Sequence, residues 1–242
     1  KQIPDNNPED PNQSPIIIFN ASARLEGISL NAGFSLITAW ALRMAGYAVV
    51  HFVCARGMSR CVLGTNRDDP IQAPPCTACI RTSKDMYVNS SVRAFEFEMD
   101  VEMKQEIQDL PLDKLLIYKL GDVPLGELIL PSMRCILRRH HLVNDENTRQ
   151  LARHYLLSAE TIVREFNHLL DQAQPQAVIV FNGMFYPEAV ARFLALQRDI
   201  PVYTHEVGML PLSTFFTSGE ATAYPIDLPE TFTLTKDRKS VV

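Results

Sequence analysis

Residues 176–208, QAVIVFNGMFYPEAVARFLALQRDIPVYTHEVG, read as strand, helix, strand. Residues 177–181 form an unbroken apolar run rich in β-branched side chains, the pattern of a parallel strand covered on both faces. Pro187 stands where a first helical residue belongs, because its ring pre-sets φ and the N–H it lacks would have no partner there. Val190, Phe193, Leu194 and Gln197 follow at helical spacing, and residues 201–205 return as the next strand. This unit predicts an α/β fold, a Rossmann-like parallel sheet flanked by helices.

Two polar clusters interrupt the apolar pattern: Asn182-Gly183 after the first strand, and His205-Glu206-Val207-Gly208 at the end of the second. Both fall at carboxyl ends of predicted parallel strands, where open α/β sheets hold their ligands. The plainer reading is that the two glycines allow positive φ in tight turns and that Asn, His and Glu are ordinary loop polars. Their pairing at neighbouring strand ends is what makes a site of them.

Toward the amino terminus the same grammar repeats. Residues 15–19, PIIIF, predict a short buried strand, residues 30–45 an apolar helix ended by Gly46, and residues 47–53 a second strand. The loop after the first strand, beginning Asn20-Ala-Ser-Ala-Arg, lacks the G-x-G-x-x-G spacing that lets backbone approach a pyrophosphate, so a dinucleotide site is not expected. Asn20, Ser22 and Arg24 still follow a strand end and can contact a ligand.

Residues 54–112 read as a loop-rich insertion containing Cys54, Cys61, Cys76 and Cys79, with six, fourteen and two residues between them. Thiols clustered in a reducing compartment suggest tetrahedral zinc, because four thiolates suit that ion and disulfides are disfavoured there. Three cysteines with a histidine, an iron–sulfur cluster, or free redox thiols are the other readings. A zinc deaminase would need an H-x-E element, which is missing. A thioredoxin-type pair is disfavoured because Cys76-x-x-Cys79 reads as loop rather than the start of a helix after a strand.

Farther along, residues 92–113 are acidic, with an alternation at Phe95-Glu-Phe97-Glu-Met99 that suits an exposed edge strand. A helix is expected over residues 125–139, kinked or divided by Pro131, with Arg134, Arg138, Arg139, His140 and His141 placing cations at its carboxyl end. Asn144 is the expected N-cap of a long helix reaching about Gln172, stopped by Pro175. Residues 209–229 read as irregular loops and turns.

Composition sets outer limits. The 242 residues are 46% hydrophobic and 21% charged with a formal net charge of −5, an ordinary globular composition without the basic surplus of a general nucleic-acid binder. No apolar run approaches the roughly 20 residues of a membrane-spanning helix. Residues 1–14 read as a disordered leader, 15–230 as one domain carrying the insertion, and 231–242 as a tail or linker. A cytoplasmic protein is expected, free or peripheral to the inner face of the membrane.

Residues 175–219 resemble the amino-terminal half of bacterial GT-B glycosyltransferases of capsule and surface-polysaccharide biosynthesis. The resemblance rests on Phe181-Asn182-Gly183, on PVYTHEVG at residues 201–208, and on the segment from Phe215-Phe216 to Gly219. Cys61 with Pro75-Cys76-x-x-Cys79 is similar to a cysteine cluster of those proteins. The resemblance implies half of a GT-B architecture. It would bind a sugar or glycan acceptor through Asn20, Asn182, Gly183 and Gly208, with His205 and Glu206 as catalytic candidates. A carboxyl-terminal domain of the same natural chain would hold the nucleotide-sugar donor, and without it this half would be inert. The competing expectation is a non-catalytic, metal-stabilised α/β ligand-binding module. A serine hydrolase is not expected, since no G-x-S-x-G elbow exists.

Overall fold

The structure is a computed structural model describing residues 13–21, 28–66, 68 and 72–222. Most of the expected leader, the expected tail, and Ser22 and Arg24 lie outside the described residues. Six strands among the described residues form one sheet: β1 (Ile16–Phe19), β2 (Val49–Cys54), β3 (Ser91–Phe95), β4 (Ala177–Phe181), β5 (Val202–Val207) and β6 (Thr214–Ser218). Their order is β3-β2-β1-β4-β5-β6, parallel from β3 to β5, with β6 antiparallel at one edge. Among the described residues seven helices accompany them: α1 (Leu30–Met44), α2 (Cys76–Met86), α3 (Val101–Ile107), α4 (Leu112–Leu115), α5 (Leu125–Leu137), α6 (Glu146–Ala173) and α7 (Tyr186–Leu196).

The strand period of two sorts β1 between two cores. Ile17 and Phe19 join Val50, Phe52, Val178 and Val180 on the face covered by α5, α6 and α7, where Tyr155, Phe166, Val190 and Leu194 pack. Ile16 and Ile18 turn the other way, with Val49, Ala177 and Ile179 against Ala39 of α1. Burial on both faces is why these strands read as continuous apolar runs rather than alternating ones. No helix among the described residues is long and apolar enough to cross a membrane.

Several local expectations are corrected. Residues 54–112 supply more than loop, since α2, α3 and the start of α4 lie there and β3 extends the sheet. The edge strand stops at Phe95, so the alternation of residues 95–99 lies almost wholly beyond it. Its acids have local partners: Asp100 caps α3 by accepting from the Met103 N–H at 2.9 Å, Glu106 accepts from the Tyr118 hydroxyl at 2.9 Å, and Glu98 pairs with Arg164 at 3.2 Å. Asp145 rather than Asn144 caps α6, accepting from the Thr148 N–H at 2.8 Å, which holds its carboxyl below the usual range. Asn144 instead accepts from Arg149 at 2.7 Å. Pro131 sits inside α5 without dividing it. Residues 214–218, expected to be irregular, are β6, which pairs with β5 after a short turn.

Candidate functional site

The chain builds the sheet outward from β1 in one direction and from β4 in the other, so the strand order reverses between them. A crevice at the carboxyl ends of such strands is where an open α/β sheet binds its ligand. Asn20 follows β1, Asn182 and Gly183 follow β4, and His205 and Glu206 lie on β5. The first turn of α1 adds Asn31, just inside the Ser29 cap.

Glu206 is the hub of this cluster. Its Oε1 accepts from Asn31 Nδ2 at 2.7 Å and from the Val207 N–H at 2.8 Å, and its Oε2 accepts from Asn182 Nδ2 at 3.0 Å. A carboxylate only accepts, so both asparagines must present their amide nitrogens to it. It offers about four lone-pair positions. Among the described residues three are filled, and the open one is on Oε2.

Asn182 is itself fixed from several sides. It adopts the left-handed conformation at φ 58°, which asparagine tolerates better than most residues. Its side-chain oxygen accepts from the Met184 N–H at 3.0 Å, its carbonyl from the Thr222 N–H at 2.8 Å, and its own N–H donates to the His205 carbonyl at 2.9 Å. Gly183 follows at φ 72°, and a Cβ there would lie 2.8 Å from Thr204 Cγ2. Arg192 of α7 donates to the carbonyls of Gly183 at 3.3 Å and Gly219 at 3.2 Å, tying the chain beyond β6 to this loop.

His205 is 1% exposed. Its Nε2 lies 3.2 Å from Asn20 Oδ1, while Asn20 Nδ2 donates to the Ser35 hydroxyl. Nε2 therefore carries the ring proton, and Nδ1 keeps its lone pair, buried and without a hydrogen-bond partner among the described residues. Burial pushes the imidazole pKa down to about 4, with Glu206 pulling the other way. The ring is neutral near pH 7 and is flanked by Phe181 and Phe216, with centroids 5.9 and 5.8 Å away.

Gly208 lies in the turn between β5 and β6. Its N–H donates to the Ser213 carbonyl at 2.7 Å, and a Cβ would meet Ser213 Oγ at 2.1 Å. Its task in the fold is close chain packing. At the start of α7, Tyr186 donates its N–H to Ser132 Oγ at 2.8 Å, Pro187 has no N–H to offer, and Glu188 in the first turn is fully buried.

The four cysteines of residues 54–79 converge. Cys54 ends β2, Cys61 lies in the following turn, and Cys76 and Cys79 occupy the first turn of α2, so the pair does open a helix. All four border one small cavity and all carry reduced thiols, as does exposed Cys135 of α5. Burial, reinforced by neighbouring Cys76 and Cys79, pushes the Cys61 thiol up to about 11. Among the described residues no three His, Cys, Asp or Glu side chains stand close enough together to hold a metal ion as placed.

Asn31 and Arg192 were not legible as site residues. An asparagine in a first helical turn reads as part of the cap, and an arginine inside a helix as its solvated face. Asn31 lies 175 residues from Glu206 in sequence, and no local pattern links the two. No model of a known protein family matches the chain, and no curated protein matches it significantly.

Proposed function

We propose that this chain is the acceptor-binding half of a GT-B-type glycosyltransferase that transfers a sugar from a nucleotide-sugar donor to a surface polysaccharide or related glycan. The donor would occupy a second α/β domain of the same natural chain. The observation that carries the reading is the Glu206 cluster at the point where the strand order reverses. There, among the described residues, one carboxylate position and the second amide hydrogen of Asn182 remain open. A carbohydrate hydroxyl both donates and accepts, so such a pair suits it.

The two candidate bases are not equivalent. Glu206 is half-buried with an open lone pair, whereas the unprotonated nitrogen of His205 is enclosed. We assign contact with the acceptor hydroxyl to Glu206, which would take the hydroxyl proton as the oxygen bonds to the anomeric carbon and the bond from that carbon to the departing nucleoside diphosphate breaks. His205 then positions the end of β5 against Asn20. Exposed apolar side chains fringe the same end of the sheet, with Met209, Leu210 and Leu212 at 85, 73 and 82% exposure in the turn after β5. They suit contact with a donor domain closing over the crevice. On this reading the protein works in the cytoplasm, free or against the inner face of the membrane.

A specific observation also favours a binding module. Two amides and a backbone N–H hold the Glu206 carboxylate, which suits fixed recognition more than proton transfer. The test pairs two measurements on the full-length natural protein: glycan binding by saturation-transfer NMR, and release of nucleoside diphosphate from nucleotide sugars in the presence of bound glycans. Glu206→Gln should lower both by about tenfold or more, the equivalent of about 1.4 kcal/mol. Unchanged transfer in that variant would place the acceptor elsewhere, and glycan binding without any transfer would leave the module.

A further inference from the structure

The cysteines outside the crevice form two matched pairs around one cavity. Cys54-Ala-Arg-Gly57 and Cys61-Val-Leu-Gly64 are both C-x-x-G turns, and in each the glycine N–H donates to the cysteine Sγ, at 3.2 and 3.1 Å. Close packing requires glycine at both positions. A Cβ on Gly57 would lie 2.2 Å from the Phe95 ring, and one on Gly64 would lie 2.6 Å from Pro74 Cβ and 2.7 Å from Cys61 Sγ. Backbone N–H groups aimed at sulfur offset negative charge there, which neutral thiols do not require.

The second pair faces the first. Cys76 and Cys79 are three residues apart in the first turn of α2, hence on one face of an eleven-residue helix, at the end whose dipole favours thiolate. Arg56, held in the left-handed conformation at φ 61°, also borders the cavity and donates to Thr77 Oγ1 at 3.1 Å. It fixes the first turn against the start of the helix and places a cationic side chain at the border of the cavity. The cavity itself holds about 20 Å³. That is room for about one water-sized sphere, enough for a single ion and too little for an iron–sulfur cube.

We propose that Cys54, Cys61, Cys76 and Cys79 bind one zinc ion, a structural site tying the end of β2 to the start of α2. Four thiols lose four protons and the ion takes all four sulfurs, leaving a site of net charge −2 beside Arg56. With no position left for water or substrate, the site holds the fold and does no chemistry. The sulfurs surround the cavity without having closed on it, and the ion draws them to its bond length of about 2.3 Å. Zinc fits because it imposes no geometry beyond the tetrahedron and takes thiolate readily.

The test uses the full chain without mutation first. Elemental analysis should find about one zinc per chain, and cobalt substitution should give the intense absorption of a tetrahedral thiolate complex. In the zinc form, alkylation under native conditions should label Cys135 alone, and chelation should expose the other four thiols and lower Tm until zinc is restored. Cys76→Ser should lose the ion, while Cys135→Ser should keep it. The proposal is overturned by zinc below about a tenth of an equivalent after reconstitution, with no cobalt–thiolate absorption. It is equally overturned by iron with matching sulfide, or by a disulfide between any two of the four.

Discussion

Asn182 donates to Glu206 Oε2 at 3.0 Å across the gap between the loop after β4 and the end of β5. Asn31 meets the other oxygen of the same carboxylate at 2.7 Å, so one side chain joins three separate segments of the chain.

Glu206→Gln replaces an all-acceptor group by an amide with one acceptor oxygen and two donor hydrogens. Whichever way it turns, its NH₂ faces an asparagine NH₂ or the Val207 N–H, leaving donors opposed. A loss of about 1–3 kcal/mol in urea-unfolding stability is expected. In a double-mutant cycle, Asn182→Ala should cost much less in the Glu206→Gln background than in the natural one. Full additivity would show that the two residues do not interact in solution.

His205 makes stability depend on pH in a defined direction. Its folded pKa, about 4, lies below the ordinary value of about 6.5, so between these values the unfolded chain binds more protons. The contribution is complete above about pH 6.5 and is lost as pH falls toward 4. Each tenfold weakening of proton affinity on folding is worth about 1.4 kcal/mol, which makes the whole contribution about 3 kcal/mol. His205→Gln removes the titrating group while keeping a donor for Asn20. Unfolding curves of the two proteins should converge as pH falls from 6.5 to 4, and parallel curves would mean that the ring is not buried neutral.

Gly126→Ala sets helix propensity against packing. Alanine gains about 1 kcal/mol over glycine in a helix. At this position in α5, however, a Cβ would lie 2.4 Å from the Leu116 carbonyl carbon and 2.5 Å from its oxygen. Backbone cannot swing aside as a side chain can, so overpacking dominates, with a net loss of about 1–3 kcal/mol. A Tm equal to or above that of the natural protein would show that residues 115–116 yield freely.

Arg192→Lys keeps the charge and loses the fork that reaches two carbonyls at once. Amide hydrogen exchange should quicken at Thr222, whose N–H bonds to Asn182, and at Gly219, whose N–H bonds to Val202. Protection in the core strand β1 should stay as it was. Unchanged exchange at both amides would show that the fork does not hold this segment.

Much of the fold was legible because its signals are local. Residues 177–181 could only be a strand buried on both faces, Pro187 marked the start of α7, and the apolar run at residues 16–19 predicted β1. The misses occur where a neighbour decides. Strand β6 forms because β5 offers it an edge, and Asp145 caps α6 rather than the equally suitable Asn144, which Arg149 engages instead. Cys76 and Cys79 read as part of a long loop, yet Pro75 leads directly into α2.

By itself the sequence determined the α/β class, the ends of the central strands, and the presence of Asn182, His205 and Glu206 at two of those ends. Hydrophobic periodicity and turn chemistry act over a few residues and need no knowledge of distant chain. Only the tertiary structure decided that Asn31 and Asn182 close on one carboxylate, that His205 is enclosed and neutral, and that four cysteines surround a single cavity. Those relations are set by strand order and helix placement, which bring together segments up to 185 residues apart that no local pattern connects.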